Sequence, residues 1–278
     1  MRILTLIENT RHTKKLYAEH GLSFYIEING KTVLMDTGAS DKFARNAVKL
    51  GIDLTALDAA VISHNHYDHT GGLESLFKLQ PAVTVFAKKD VAGDYYRKLG
   101  PFNIVVCWNK HFLNKHRYNF VLFTRFAEVC EGFYLMGCEV SEPANIPRDP
   151  RLLKREGGRY LPDDFKHEIF AVAFPYEQRE KGCVVISSCS HCGIVNILQT
   201  VRLTWPESPI IGVVGGFHLN GNPGVDDGFI KRMARGLSEL AQGCVYTCHC
   251  TGEKAYERLK GYMTDQLQTL RTGEELTY

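Results

Sequence analysis

Residues 59–72 read Ala59-Ala60-Val61-Ile62-Ser63-His64-Asn65-His66-Tyr67-Asp68-His69-Thr70-Gly71-Gly72. Four consecutive apolar residues are what a strand covered on both faces requires. The polar loop behind them carries three histidines and an aspartate within six residues. In a loop at the carboxyl end of a strand, His64 and His66 can turn their imidazoles to one ion, and Asp68 and His69 to a neighbouring one. Imidazole and carboxylate suit Zn²⁺, Fe or Mn²⁺. Two such ions about 3.5–4 Å apart form the clamp that activates water and polarises an oxyanion. A chance polar loop would not produce this spacing directly after an apolar strand.

Working outward, Leu22 to Ile28 alternates, meets Asn29-Gly30, a two-residue hairpin signal, and returns as Thr32 to Met35. Ser40 is placed to cap a helix with the apolar face Phe43, Ala47 and Leu50, stopped by Gly51. Further strands are expected at Ala82 to Ala87, Ile169 to Phe174, Val184 to Ser187, Ile210 to Val214 and Val245 to Thr247. Amphipathic helices are expected over Asp226 to Gln242 and Glu253 to Leu270. Strands flanked by helices in both halves predict an α/β class of stacked sheets with helices outside. No repeat or linker divides residues 1–278, so a single domain is expected. The pattern is irregular only from about 88 to 160, which reads as an inserted cap. Its basic stretch Lys110, His111, Lys115, His116, Arg117 reads either as a substrate-facing surface or as a solvated face.

The 278 residues are 44% hydrophobic and 23% charged, so a packed core is expected and wholesale disorder is not. Lys+Arg 33 against Asp+Glu 31 leaves +2, too balanced for a chain built to hold a nucleic-acid backbone. No apolar run approaches a bilayer span, and the apolar stretch Ile3 to Ile7 is too short for an export signal. The expectation is a cytoplasmic protein with neither membrane nor nucleic-acid partners. Nine cysteines, an odd number in a chain of this size, argue for thiols rather than a disulfide framework. They cluster, however, as Cys183, Cys189, Cys192 and as Cys244, Cys248, Cys250.

The His-x-His-x-Asp-His loop, the strand ending in Asp36-Thr37-Gly38 and the Thr70-Gly71-Gly72 that follows resemble the metallo-β-lactamase superfamily. Glu19-His20-Gly21-Leu22-Ser23, His167-Glu168, Cys189-Ser190-His191-Cys192-Gly193, Gly215-Gly216-Phe217-His218-Leu219 and His249-Cys250-Thr251-Gly252 are similar to its dihydropterin synthase-like group. The resemblance implies a four-layer αββα sandwich holding one or two divalent metal ions, Zn first, with Fe, Mn or Mg as alternatives. It maps His64, His66, Asp68 and His69 onto the metal loop and His249 onto the last ligand. The intermediate ligand falls to His167 or His191. Where most of the superfamily has an aspartate bridging the ions, this chain has Cys189, a softer ligand with a different reach. Asp36 is expected to orient a ligating histidine, and Asp68 to take part in catalysis. His218 is proposed for proton transfer or substrate contact, and His20 for substrate binding. His12, His111 and His116 read as surface residues.

Three functions follow. The first is a hydrolase using metal-activated water on an ester, amide or phosphate-type small molecule. The second, implied by the group's namesake, is a transferase joining a dihydropterin pyrophosphate to a ribofuranosyl-aminobenzene phosphate; the basic stretch 110–117 would then meet phosphates. The third is a redox or iron–sulfur protein using Cys189-x-x-Cys192 with Cys244, Cys248 and Cys250. Oligomeric state is not readable from the sequence.

Overall fold

A computed structural model describes residues 1–108, 110–176 and 180–278, with the backbone alone at Lys110. The chain divides into two compact units. The first comprises Met1–Arg125, Pro150–His167 and Arg271–Tyr278, the second Phe126–Asp149 and Glu168–Leu270.

In the first unit a seven-stranded sheet runs in the order Glu275–Thr277, Arg2–Ile7, Ser23–Ile28, Lys31–Met35, Ala59–Val61, Val85–Lys88, Phe120–Phe123. The hairpin turn is the expected one: Asn29 and Gly30 both take positive φ, 52° and 76°, which a two-residue turn matched to strand twist requires. From Lys31–Met35 onward the pairings are parallel, so these strands share one carboxyl edge. Leu4, Leu6, Tyr25, Leu34, Ala60, Ile62 and Val85 bury one face of the sheet against Phe43 and Ala47 of helix Lys42–Lys49 and Leu73, Leu76 and Phe77 of helix Leu73–Leu79. Asp41, not Ser40, holds the N-cap position of the first of these helices and makes no side-chain cap bond; Ser40 Oγ accepts the Lys42 N–H at 3.3 Å while its hydroxyl donates to Glu19 Oε2 at 2.6 Å.

The second unit has a seven-stranded sheet in the order Leu267–Thr269, Ala241–Thr247, Ile210–Gly215, Cys183–Ser187, Phe170–Ala173, Phe133–Met136, Phe126–Cys130. The first four are mutually parallel neighbours. Its core packs Phe170, Val172, Val185, Val213 and Val245 against helices Ile194–Thr204, Asp227–Leu240 and Glu253–Met263. Asp226 caps the second helix, its Oδ1 accepting the Phe229 N–H at 2.7 Å. The last helix stops seven residues short of the expected Leu270. Thr264, at φ 47°, leaves the helical region, and Leu267–Thr269 pairs instead as the edge strand.

Residues 88–160 do not stay together. Tyr95–Leu99 and Phe102–Val105 pair with Leu152–Glu156 and Arg159–Pro162 in a small four-stranded sheet of the first unit, whereas Phe126–Cys130 and Phe133–Met136 join the second unit's sheet. Of the basic stretch, the Lys110 side chain and the preceding Asn109 lie outside the described residues, and Lys115 pairs with Glu74 at 3.3 Å. His116 is not a surface histidine: it is half-buried and stacks on Phe77 with ring centroids 4.4 Å apart. His12 is exposed and meets Glu274. Among the described residues no helix is long and apolar enough to cross a membrane.

Candidate metal centre

The loop after Ala59–Val61 is held from several sides before its side chains are considered. Asn65 donates to the Val91 carbonyl at 2.6 Å and accepts from the Trp108 N–H at 3.1 Å. The Thr37 N–H and hydroxyl both donate to the His69 carbonyl, and Leu22 N–H donates to that of Asp68. Gly71 and Gly72 permit the backbone to pass against its neighbours: a Cβ would stand 2.3 Å from the Ala39 carbonyl oxygen at the one and 2.3 Å from that of Thr37 at the other.

His64, His66 and His69 are buried, with ring centroids 4.6 Å apart for His64–His66 and 4.2 Å for His64–His69. Asp36, itself buried and at φ 60°, organises them. Its carboxylate accepts the Ser63 N–H at 2.8 Å, the Ser63 hydroxyl at 2.7 Å and His69 Nδ1–H at 2.8 Å. Because the Ser63 proton goes to Asp36, Ser63 Oγ must accept from His64 Nδ1, 2.8 Å away. Both imidazoles are thus fixed as Nδ1–H tautomers, with the lone pair on Nε2, the form a metal ligand needs. Burial, and after it the nearby His69 and His66, hold His64 well below the usual histidine range. Burial pulls His66 down to about 3. Neutral imidazoles beside the Asp68 carboxylate are a donor set that fits a divalent ion of the Zn, Fe or Mn kind.

Asp68 Oδ2 lies 3.2 Å from His20 Nε2 and 3.7 Å from His69 Nε2, so the structure brings His20, half-exposed, to the metal loop. An open groove of about 330 Å³ runs beside this loop, lined by Tyr67, Thr70, Gly71, Glu74, Cys107, Trp108 and Phe112. His167 also belongs to this unit, its ring 5.9 Å from that of His66. Its Nδ1 accepts the Asn65 N–H at 3.1 Å and its Nε2 faces Asp163 Oδ2 at 3.2 Å. Burial pushes the Asp163 carboxyl up, but hydrogen bonds from His167 and from the Phe165 N–H help to leave the group below the usual range. Sequence reasoning missed Asp163. Its only signal was its position four residues before His167.

The second unit holds Cys189, His191, His218 and His249. Strands Cys183–Ser187, Ile210–Gly215 and Ala241–Thr247 run parallel and adjacent, so the residues just past their carboxyl ends converge. Glu168 shapes the first of these loops: its carboxylate accepts the His191 N–H at 2.8 Å and the Cys192 N–H at 2.9 Å. The His191 and His218 rings are 4.2 Å apart. Ser190, His218 and His249 all sit at positive φ, between 49° and 56°, which non-glycine residues adopt rarely and chiefly at functional sites. Burial works against a charged His218, but the neighbouring Asp149 and Cys250 together raise it to about 9. Asp149 is a further residue to which the sequence assigned no role, and Cys250 entered the sequence reading only as one thiol of an iron–sulfur or redox cluster.

A family model described as the metallo-beta-lactamase superfamily matches residues 16–158, just over half of the chain. The chain belongs to that superfamily. The 7,8-dihydropterin-6-methyl-4-(beta-D-ribofuranosyl)-aminobenzene-5'-phosphate synthase of Methanocaldococcus jannaschii is 28% identical over 100% of this chain and 97% of its own length. The crystal structure of Tm1679, a metal-dependent hydrolase of the beta-lactamase superfamily, is 30% identical with a TM-score of 0.84, covering 100% of this chain and 99% of that one. The metallo-beta-lactamase fold protein YhfI from Bacillus subtilis, at 11% identity, shares the fold with a TM-score of 0.59 over 99% of each chain. As a metallo-β-lactamase superfamily member of α/β fold, the chain is an enzyme, either a hydrolase or a synthase, and its fold is one that binds divalent metal. A small molecule is the substrate class of such enzymes.

Proposed function

We propose that the protein is a metal-dependent hydrolase of a small ester, amide or phosphate-type substrate. The observation that carries this is Asp36 fixing both His64 and His69 with Nε2 lone pairs in a buried cluster. Support also comes from Tm1679, which has a hydrolase name and similarity over the full chain. A divalent ion, Zn²⁺ above all, would acidify a bound water and draw charge from a carbonyl or phosphoryl oxygen.

The chain's own residues divide the remaining work. His64, His66, Asp68 and His69 are ligands in the first unit. His191, His249 and Cys189 are proposed as ligands in the second. His167, with one nitrogen accepting from Asn65 and the other facing Asp163, is assigned to bracing the loop. Asp68 Oδ2 passes or receives a proton with His20, 3.2 Å away and open to an incoming substrate. His218, held protonated, is the second proton donor. The groove beside Tyr67 and Trp108 is where substrate would lie.

The test is metal content by plasma mass spectrometry and turnover of a panel of aryl esters and phosphodiesters, for wild type and His66→Ala. Loss of metal and turnover together supports the proposal; full metal content in the variant overturns it. The synthase name of the full-length archaeal relative favours a second reading, transfer of the pterin group of a pterin pyrophosphate to an arylamine acceptor with pyrophosphate as the leaving group. Pyrophosphate release from that substrate pair, under Mg²⁺, Mn²⁺ and Zn²⁺ in turn, decides for it; no release under any of them retires it.

A further inference from the structure

We propose that the second unit carries a thiolate-rich metal site of its own, made by Cys189, Cys250 and His218, taking a soft or borderline ion such as Zn²⁺ or Cd²⁺ in preference to Mg²⁺. It goes beyond the hydrolase reading, shares Cys189 and His218 with it and leaves the His64–His69 loop untouched, so failure at Cys250 and failure at the loop are told apart. With an ion bound there, His218 gives up its proton and serves as a ligand instead of a donor.

The topology brings these residues together. Cys189 lies two residues past the end of Cys183–Ser187, His218 three past Ile210–Gly215, and Cys250 three past Ala241–Thr247, on three adjacent parallel strands. One ligand atom from each residue lies within 4.8 Å of the other two. A tetrahedral zinc, at about 2.3 Å from sulfur and 2.0 Å from nitrogen, sets ligand atoms about 3.5–3.8 Å apart, so closure needs only a small contraction. Both cysteines are buried, at 3% and 8% exposure, away from competing solvent.

The surroundings are those of a sulfur ligand rather than of two buried apolar thiols. The His218 backbone N–H points at Cys250 Sγ, 3.2 Å away, the donor a thiolate ligand is stabilised by. Gly216 leaves room for that sulfur: a Cβ there would stand 2.5 Å from Cys250 Sγ and 2.7 Å from the Ser188 carbonyl oxygen. His218 Nε2 is buried without a hydrogen bond among the described residues, and Asp149 Oδ2 is 3.7 Å away, just too far for one. Thiolate donors select Zn and softer ions over Mg, whose preference is for oxygen. Three protein ligands leave a fourth position open.

The test is titration of the metal-free full-length protein with Co²⁺, reading the thiolate-to-cobalt charge-transfer band in the near ultraviolet, which histidine and carboxylate ligands do not produce. Wild type should show the band. Cys250→Ser should lose about half or more of its intensity, Cys189→Ser the same, and Cys248→Ser none. His218→Asn should keep the band at saturation but need at least tenfold more Co²⁺. His66→Ala, which disables the other loop, should retain it. The proposal is overturned if wild type binds Co²⁺ without the band, if Cys250→Ser leaves the intensity unchanged, or if His66→Ala abolishes it. Should Cys250→Ser fail to fold, Cys189→Ser removes the other sulfur, and an unchanged band in that variant overturns the proposal equally.

Discussion

Asp36→Asn separates the role of a buried carboxylate from that of the ligands it orients. Asparagine has almost the same shape and tolerates the left-handed backbone at φ 60°, so no strain is added. Oδ1 accepts from the Ser63 N–H, and a carbonyl oxygen can keep that bond. Oδ2 accepts from both the Ser63 hydroxyl and His69 Nδ1–H; an amide NH₂ in its place meets two donors with two more. His69 resolves the conflict by moving its proton to Nε2, which removes the lone pair a metal needs. Ser63 turns to accept, and its bond to His64 Nδ1 loses definition. Two charge-assisted hydrogen bonds at about 1.5–3 kcal/mol each bound the structural cost. Reorienting partners of this type typically lower metal affinity about 10–100-fold, or about 1.4–2.8 kcal/mol. Zn²⁺ affinity by competition with a chromogenic chelator, alongside thermal melts of the metal-free proteins, measures both. A variant that melts like wild type and binds zinc within twofold of it would refute the tautomer argument.

Other outcomes follow from the same contacts. In the metal-free protein, His66 has a folded pKa near 3 against about 6.5 unfolded, so the unfolded chain holds the extra proton between those values. Stability should therefore fall, by about 1.4 kcal/mol per pH unit for this one group, as pH drops from about 6.5 toward 3. His218, raised to about 9, works the other way: its contribution is complete below about 6.5 and lost as pH rises through 9. Urea midpoints of chelator-treated protein from pH 4 to 9 should thus peak near neutrality; a flat profile from pH 4 to 6 contradicts the buried neutral cluster. Glu168→Ala removes the acceptor of one buried and one partly buried backbone N–H in the Ser190-His191-Cys192 loop and should cost about 3 kcal/mol, roughly 6–12 °C in calorimetric Tm. Gly72→Ala drives a methyl against the Thr37 carbonyl and Phe43 and should cost about 3 kcal/mol in urea unfolding. Gly261→Ala, in the helix Glu253–Met263 with nothing within 4 Å, should instead gain up to about 1 kcal/mol.

Local signals were legible without a structure. The apolar run Ala59 to Ile62, the Asn29-Gly30 turn and the helix beginning at Asp226 depend on neighbours in the chain, and the structure shows all three. The candidate metal loop was legible for the same reason: His64, His66, Asp68 and His69 lie within six residues behind an apolar strand, and the structure buries all four. Periodicity failed where a pattern served two structures in turn. Leu267 continues the helical spacing of Leu259 and Met263, yet it is a strand residue, because Thr264 turns the chain and the edge of Ala241–Thr247 offers it hydrogen bonds. The stretch 88–160 looked like one insert because its short strands alternate weakly, but their partners lie far along the chain, and those partners divide it between the two units.

What the sequence determined by itself was the superfamily and its candidate ligand loop, since residue type and spacing along one loop are properties of a short segment. What only the tertiary structure decided was protonation and partnership. The sequence reading gives Asp36 the task of orienting a histidine but not which one, and its direct bond to His69 and its link to His64 through Ser63 are tertiary; Asp149 is 69 residues from His218, and nothing in the chain between them announces that contact. Cys189, His218 and Cys250 are likewise scattered over 62 residues, and become neighbours only because three parallel strands end side by side. Tautomers, pKa values and ligand sets depend on distances of a few ångströms between remote residues, and those distances exist only once the sheets have formed.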